Sequence, residues 1–100
     1  MRTYYVYILT NKNKNVLYIG FTNNLIVRLQ EHTSEAANPN SKTFAGRYQC
    51  YWLVYYETGQ SAEQGIAREK EIKGWSRAKK IALIESFNPE WRFLNEDVLG

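Results

Sequence analysis

Apolar positions recur with two different periods along this chain of 100 residues, and the change from one to the other marks out its elements. "TYYVYIL", Thr3 to Leu9, and "NVLYIG", Asn15 to Gly20, are dense in aromatic and β-branched residues and flank the polar run "TNKNKN". The pattern predicts a β-hairpin with a loop longer than two residues. Alternate side chains of a strand share a face, so Tyr5, Tyr7 and Leu9 are expected together on the first strand, and Tyr18 with Gly20 on the second. A glycine there leaves space where another backbone or a ligand can approach.

Beyond Gly20 the period becomes helical. Thr22 is the expected N-cap of a helix running to about His32. On a wheel of ~100° per residue with Leu25 at zero, Leu29 falls near 40° and Ile26 near 100°, which makes these three the expected buried stripe. On the same wheel Arg28 falls at roughly 300° and His32 at roughly 340°, side by side at one edge of that stripe. Thr33 to Gln49 is polar and predicts a surface loop anchored by Phe44 and Tyr48; loops of this length are uncommon unless functional or mobile. "YWLVYYE", Tyr51 to Glu57, predicts a third strand, central or covered on both faces.

Ser61 with Gln64 three residues later predicts a capped second helix, Ala62 to about Lys73. Gly74 and Ser76 break and restart the chain into a third, "SRAKKIALIESF", ended by Asn88 before Pro89. Trp91 and Phe93 of the tail are expected to pack back on the core, and Trp75 and Trp91 to serve packing rather than base stacking. On the second helix Ala62, Gly65, Ile66 and Ile72 mark one face, with Glu69 in its middle and Glu71 pointing away. A carboxylate in an apolar stripe costs desolvation unless a cation or hydrogen bonds meet it. Two readings of Glu69 follow: an ion pair with an arginine or lysine, or a metal-binding or catalytic carboxylate. Arg28 and His32 are open in the same way, between ordinary surface roles and chemistry.

The composition, with 44% hydrophobic residues, allows one compact domain over residues 1–100 to bury a core without metal or disulfide staples. Cys50 is the single cysteine, the N-terminus lacks the pattern of a signal peptide, and no apolar run approaches the roughly 18 to 20 residues that span a bilayer. A cytoplasmic protein with no membrane partner is expected. The net charge of +3 is modest, but residues 68–80 hold six basic side chains against two acidic ones, a local +4 that leaves −1 for the rest. Charge gathered in this way suits a polyanion such as nucleic acid, and equally a solvated helix surface.

"Tyr5-Val6-Tyr7", ten residues, then "Tyr18-Ile19-Gly20", followed by Arg28, His32 and a helix-borne Glu69, resembles the GIY-YIG nuclease family. The similarity runs from about Tyr4 to Trp91 and is greatest to the family's small standalone bacterial members. Tyr5 stands where the name-giving first glycine would be, and Phe21 where the excision-repair nuclease subunit carries a lysine. The resemblance implies an α+β fold with a central three-stranded antiparallel sheet flanked by helices, in the order β-β-α-β-α-α. It implies hydrolysis of DNA phosphodiesters assisted by one divalent ion, Mg²⁺ or Mn²⁺, held by Glu69, with Tyr7, Tyr18, Arg28 and His32 completing the catalytic set. Asn88 is the nearest match to an asparagine that joins the site in some members.

Such a hydrolysis needs a base to activate water, charge stabilisation on the phosphoryl oxygens and help for the leaving oxygen. Arginine offers phosphate a planar fork of donors that lysine cannot copy. Tyrosine, with an ordinary pKa near ~10, is a poor base at neutral pH unless cations stabilise its phenolate. The expected assignment makes Tyr18 the base and Tyr7 the positioning group, with His32 orienting a tyrosine or relaying its proton. Lys70, Lys73, Arg77, Lys79 and Lys80 are the expected DNA contacts. The expected role is a structure-selective endonuclease of repair or recombination, with a protein partner supplying specificity; the alternative is a catalytically silent nucleic-acid-binding module.

Overall fold

The computed structural model describes residues 3–100. The strands are β1 (Tyr4–Thr10), β2 (Leu17–Thr22) and β3 (Trp52–Gly59). The helices are α1 (Leu25–Ala37), α2 (Phe44–Arg47), α3 (Ala62–Lys73), α4 (Arg77–Phe87) and α5 (Asn95–Leu99). The strands form one antiparallel sheet in the order β2-β1-β3, so the expected sheet is present and its centre is β1. β3 lies at an edge yet is covered on both faces.

Alternation along β1 sends side chains into two cores. Tyr7 and Leu9 meet Leu25 and Leu29 of α1 with Leu53 and Leu94, whereas Val6 and Ile8 meet Ile19, Ile72 of α3 and Ile84 of α4. A bulge opposite Ile8 and Leu9 breaks this alternation in β3, and Val54 and Tyr55 consequently both enter the second core. Trp75, Trp91 and Phe93 pack against that core, as expected.

The hairpin loop closes through Asn11, whose side-chain oxygen accepts from the backbone N–H groups of Asn15 and Val16, with Lys14 in the left-handed region at φ 60°. α3 and α4 start where predicted. Ser61 accepts from the N–H of Gln64 and Ser76 from that of Lys79.

α1 departs from the expectation at both ends. Thr22 still pairs with Tyr5 in the sheet, so it cannot cap; Asn24 does, accepting from Val27 N–H at 3.1 Å. The helix then continues to Ala37, shortening the expected loop, and α2 forms within the remainder. Its buried positions are Leu25, Leu29, His32 and Ala36, an unbroken stripe at helical spacing. Ile26, expected in that stripe, is 47% exposed, and His32, expected at its edge, lies inside it. Phe44 and Tyr48, expected to anchor the loop, are also about half exposed.

Two asparagines clamp β3 to the C-terminal segment. Asn88 donates to the carbonyls of Val54 and Arg92 and accepts from Arg92 N–H. Asn95 accepts from Leu53 N–H and donates to the carbonyl of Tyr51. With its side chain committed to three backbone groups and only 5% exposed, Asn88 is a structural clamp.

Candidate active site

The site begins with a glycine. Gly20 of β2 stands opposite Tyr7 of β1, and the space that a side chain would occupy there is filled by the Tyr7 ring: a Cβ on Gly20 would overlap Tyr7 Cζ and Oη. The room predicted at Gly20 is therefore taken by a tyrosine of the same sheet. The ring lies across the edge strand, and its hydroxyl reaches α1.

There Tyr7 Oη meets His32 Nε2 at 2.9 Å and accepts from Arg28 Nε at 3.3 Å. Arg28 and His32, four residues apart on α1, are brought together on one hydroxyl as the wheel suggested. Burial, together with the neighbouring charge of Arg28, pushes His32 down to about 4, so the ring is neutral at pH 7. Burial pushes the Tyr7 phenol up to about 12, outweighing the Arg28 hydrogen bond that favours its anion. Arg28 is held above its ordinary value, first by the hydrogen bond to Tyr7.

Arg28 can only donate to the Tyr7 oxygen, and every group of the array is satisfied when the Tyr7 proton points to His32 Nε2 and the neutral imidazole carries its proton on Nδ1. Tyr7 is fully buried, with its hydroxyl engaged on both sides. It positions its neighbours and does not touch solvent.

Tyr18 is differently placed. Its ring lies 5.2 Å from that of His32, edge to face, and it lines an open cleft of about 350 Å³ with Arg28, His32, Glu31, Glu35 and Phe44. Of the two motif tyrosines, only Tyr18 faces this cleft. Glu31, which the sequence reading passed over, accepts from Arg28 Nη1 at 3.2 Å from one helical turn away. Its signal in the sequence was the ordinary i, i+3 charge pairing of a helix surface.

Glu69 comes from the other layer. It is 19% exposed, and its negative charge contributes to raising the Tyr7 phenol. Lys73 lies 3.4 Å away as an i, i+4 pair, so the ion-pair reading of Glu69 holds in part. Lys73 is itself half exposed, and such surface pairs contribute only about 0.3–0.5 kcal/mol. Among the described residues no three His, Cys, Asp or Glu side chains converge as a metal cage. A lone, partly exposed carboxylate is nevertheless a donor set that Mg²⁺ accepts, because that ion keeps several waters and takes substrate phosphate as ligand. Glu69 thus fits the ion that the resemblance implies.

The basic stretch divides in two. Arg68 is absorbed structurally: it holds Glu57 at 3.0 Å and Glu71 at 2.6 Å and lies over Trp75. Lys79 lies over the same ring, 4.3 Å from its centroid. Lys70, Arg77 and Lys80 form no ion pair among the described residues. Arg77, Lys79 and Lys80 also crowd the first turn of α4, where no acid complements the helix dipole. Cations there oppose the dipole, at ~0.3–1 kcal/mol each.

Comparison with known proteins identifies the family and the fold. Residues 3–82 match the GIY-YIG catalytic domain. The chain is 40% identical over 90 residues to a UPF0213 protein of Syntrophus aciditrophicus, covering 86% of this chain and 93% of that one. It is 36% identical over 85 residues to a UPF0213 protein of Staphylococcus haemolyticus, covering 85% and 98%. The solution NMR structure of a UPF0213 protein from Bacillus halodurans superposes with a TM-score of 0.56 at 27% identity, over 89% of each chain. Sequence and fold together place the chain in the GIY-YIG family, among small proteins of the UPF0213 group.

Proposed function

We propose that this protein is a metal-dependent endonuclease that hydrolyses DNA phosphodiester bonds. The observation that carries the reading is the array Arg28–Tyr7–His32 beside a cleft that Tyr18 faces. A packing role for these residues would not require an arginine, a tyrosine and a neutral histidine to share one hydroxyl.

In this reading Arg28 is the phosphate ligand. Tyr7 holds its Nε and Glu31 its Nη1, leaving Nη2 to meet the phosphoryl oxygens that gain charge in the transition state. Tyr18, the motif tyrosine that faces the cleft, takes the proton of the attacking water. His32, neutral with its Nε2 on Tyr7, holds the array in register. A divalent ion held by Glu69 would supply Lewis-acid stabilisation of the phosphate and of the leaving oxygen. Lys70, Lys73, Arg77, Lys79 and Lys80 would hold the DNA backbone; cations gathered against the α4 dipole support this, since a helix surface serving stability alone would carry acids there. A role in repair or recombination on branched or damaged DNA, with a protein partner adding specificity, extends the same reading.

The test is incubation of the purified chain with supercoiled plasmid and with branched and single-stranded oligonucleotides, in Mg²⁺, Mn²⁺ or EDTA. The reading predicts nicked or shortened DNA that requires the ion. Intact DNA under every condition, with salt-sensitive binding retained, would favour a silent nucleic-acid-binding module.

A further inference from the structure

The site cleft opens onto a row of three aromatic rings, of which the proposed mechanism uses only Tyr18. Tyr18 stacks on Phe44 at 6.0 Å with 25° between planes, and Phe44 meets Tyr48 at 4.7 Å and 44°. Phe44 lines the same cleft as Arg28 and His32. The guanidinium of Arg47 lies 5.9 Å from the Tyr48 ring centre.

These rings are exposed by construction. α2 is a single turn whose small residues, Ala45 and Gly46, are buried while Phe44 and Tyr48, four positions apart on one face, are 47% and 46% exposed. A turn recruited for packing would present the opposite side to the core. The turn is also firmly held: Thr43 accepts from Gly46 N–H at 3.0 Å, Cys50 N–H donates to Ala45 at 2.8 Å, and Gln49 bridges the carbonyls of Ala36 and Gly46. A fixed, exposed aromatic pair with a cation beside it, continuous with the cleft that Arg28 lines, matches one kind of ligand: a flat π-surface on an anionic backbone.

We propose that Phe44 and Tyr48 are a stacking platform for an unpaired nucleobase next to the phosphodiester placed at Arg28. Placing that phosphate rests on the nuclease reading; the platform itself does not. Bases inside a duplex have both faces covered by their neighbours and cannot reach a side-on row of rings. The preferred substrate is therefore nucleic acid with unpaired nucleotides, such as a single strand, flap or loop, rather than continuous duplex.

The test is fluorescence anisotropy in EDTA with three labelled probes of equal length: a thymidine oligonucleotide, an abasic backbone, and a duplex. The platform predicts that wild-type protein binds the thymidine strand about five- to a hundredfold more tightly than the abasic strand, the range of one stacked base. Phe44→Leu and Tyr48→Leu, confirmed as folded by circular dichroism, should erase that margin and leave abasic and duplex binding within about twofold. Equal wild-type affinity for thymidine and abasic strands would overturn the proposal, and this comparison needs no variant. Variants that weaken all three probes alike, or none, would overturn it too. Because nothing is cut in EDTA, a preference for bases without any cleavage in Mg²⁺ would sink the nuclease reading and leave the platform standing.

Discussion

Gly20→Ala probes the geometry on which the site depends. The φ of Gly20 is not in the left-handed region, so alanine meets no backbone strain and its whole effect comes from one methyl group. That methyl falls on Cζ and Oη of Tyr7 and 2.7 Å from its Cε2. Tyr7 has nowhere to retreat: it is fully buried, and its hydroxyl is held by His32 at 2.9 Å and Arg28 at 3.3 Å. Overpacking of this kind costs about 1–3 kcal/mol. Moving the ring also strands a buried hydroxyl or its partners, for roughly another 1–3 kcal/mol. The expected destabilisation of about 2–6 kcal/mol lies below the roughly 5–15 kcal/mol of a typical domain over most of both ranges, so the variant should fold. Urea unfolding should show the midpoint falling by about 1–4 M for a slope near ~1.5 kcal/mol/M. Tyr7→Leu, which removes the struck atoms, should recover part of the loss in the double variant, a coupling that a mutant cycle measures. A change below about 0.5 kcal/mol in Gly20→Ala, the range of inconsequential surface substitutions, would refute the argument.

Other consequences can be measured independently. His32 is pushed down to about 4 in the folded chain against an ordinary ~6.5, so its contribution is complete above pH 6.5 and is lost as pH falls toward 4; by about 1.4 kcal/mol per pKa unit this amounts to ~3 kcal/mol. His32→Gln should flatten that part of the stability profile, and parallel profiles would contradict the assignment. Tyr18→Phe should lower the cleavage rate by about a hundredfold or more with stability nearly unchanged, as for a lost general base, whereas Tyr7→Phe should lower both, since it leaves Arg28 Nε and His32 Nε2 without their shared partner. The reverse split, read from single-turnover rates and unfolding curves, would exchange the roles of the two tyrosines. Arg77→Glu with Lys80→Glu should weaken DNA binding more at low than at high salt and reduce the salt slope, because phosphate contacts act through counterion release. An unchanged slope would remove them from the interface.

The parts that the sequence made legible are those governed by local rules. Period and caps located α3 and α4, and alternation grouped Tyr5, Tyr7 and Leu9 on one face. The inward position of Glu69 was also readable, because a helix wheel needs only spacing. What escaped depends on contacts distant in sequence. Asn88 and Asn95 look like turn residues until β3 is seen beside them, and no local pattern announces a bulge that turns Val54 and Tyr55 to one side. Thr22 and Asn24 are both good caps, and only the pairing of Thr22 with Tyr5 decides between them. His32 seemed an edge residue because the wheel was centred between Leu25 and Ile26; the sheet selects Leu25, Leu29, His32 and Ala36 instead. That Tyr7 fills the space over Gly20 was beyond reach, since it needs the hairpin register.

The central claim is that these residues hydrolyse DNA, and the most direct measurement compares wild-type protein with Glu69→Ala on one DNA panel in Mn²⁺, with binding in EDTA and unfolding followed in parallel. The account predicts cleavage by the wild type, none detectable by Glu69→Ala, and DNA affinity and stability changed little, because the substitution removes a metal ligand and leaves the basic surface and both cores intact. Equal cleavage by the two proteins would show that Glu69 is not the metal ligand. No cleavage by a folded, DNA-binding wild type would contradict the nuclease claim itself.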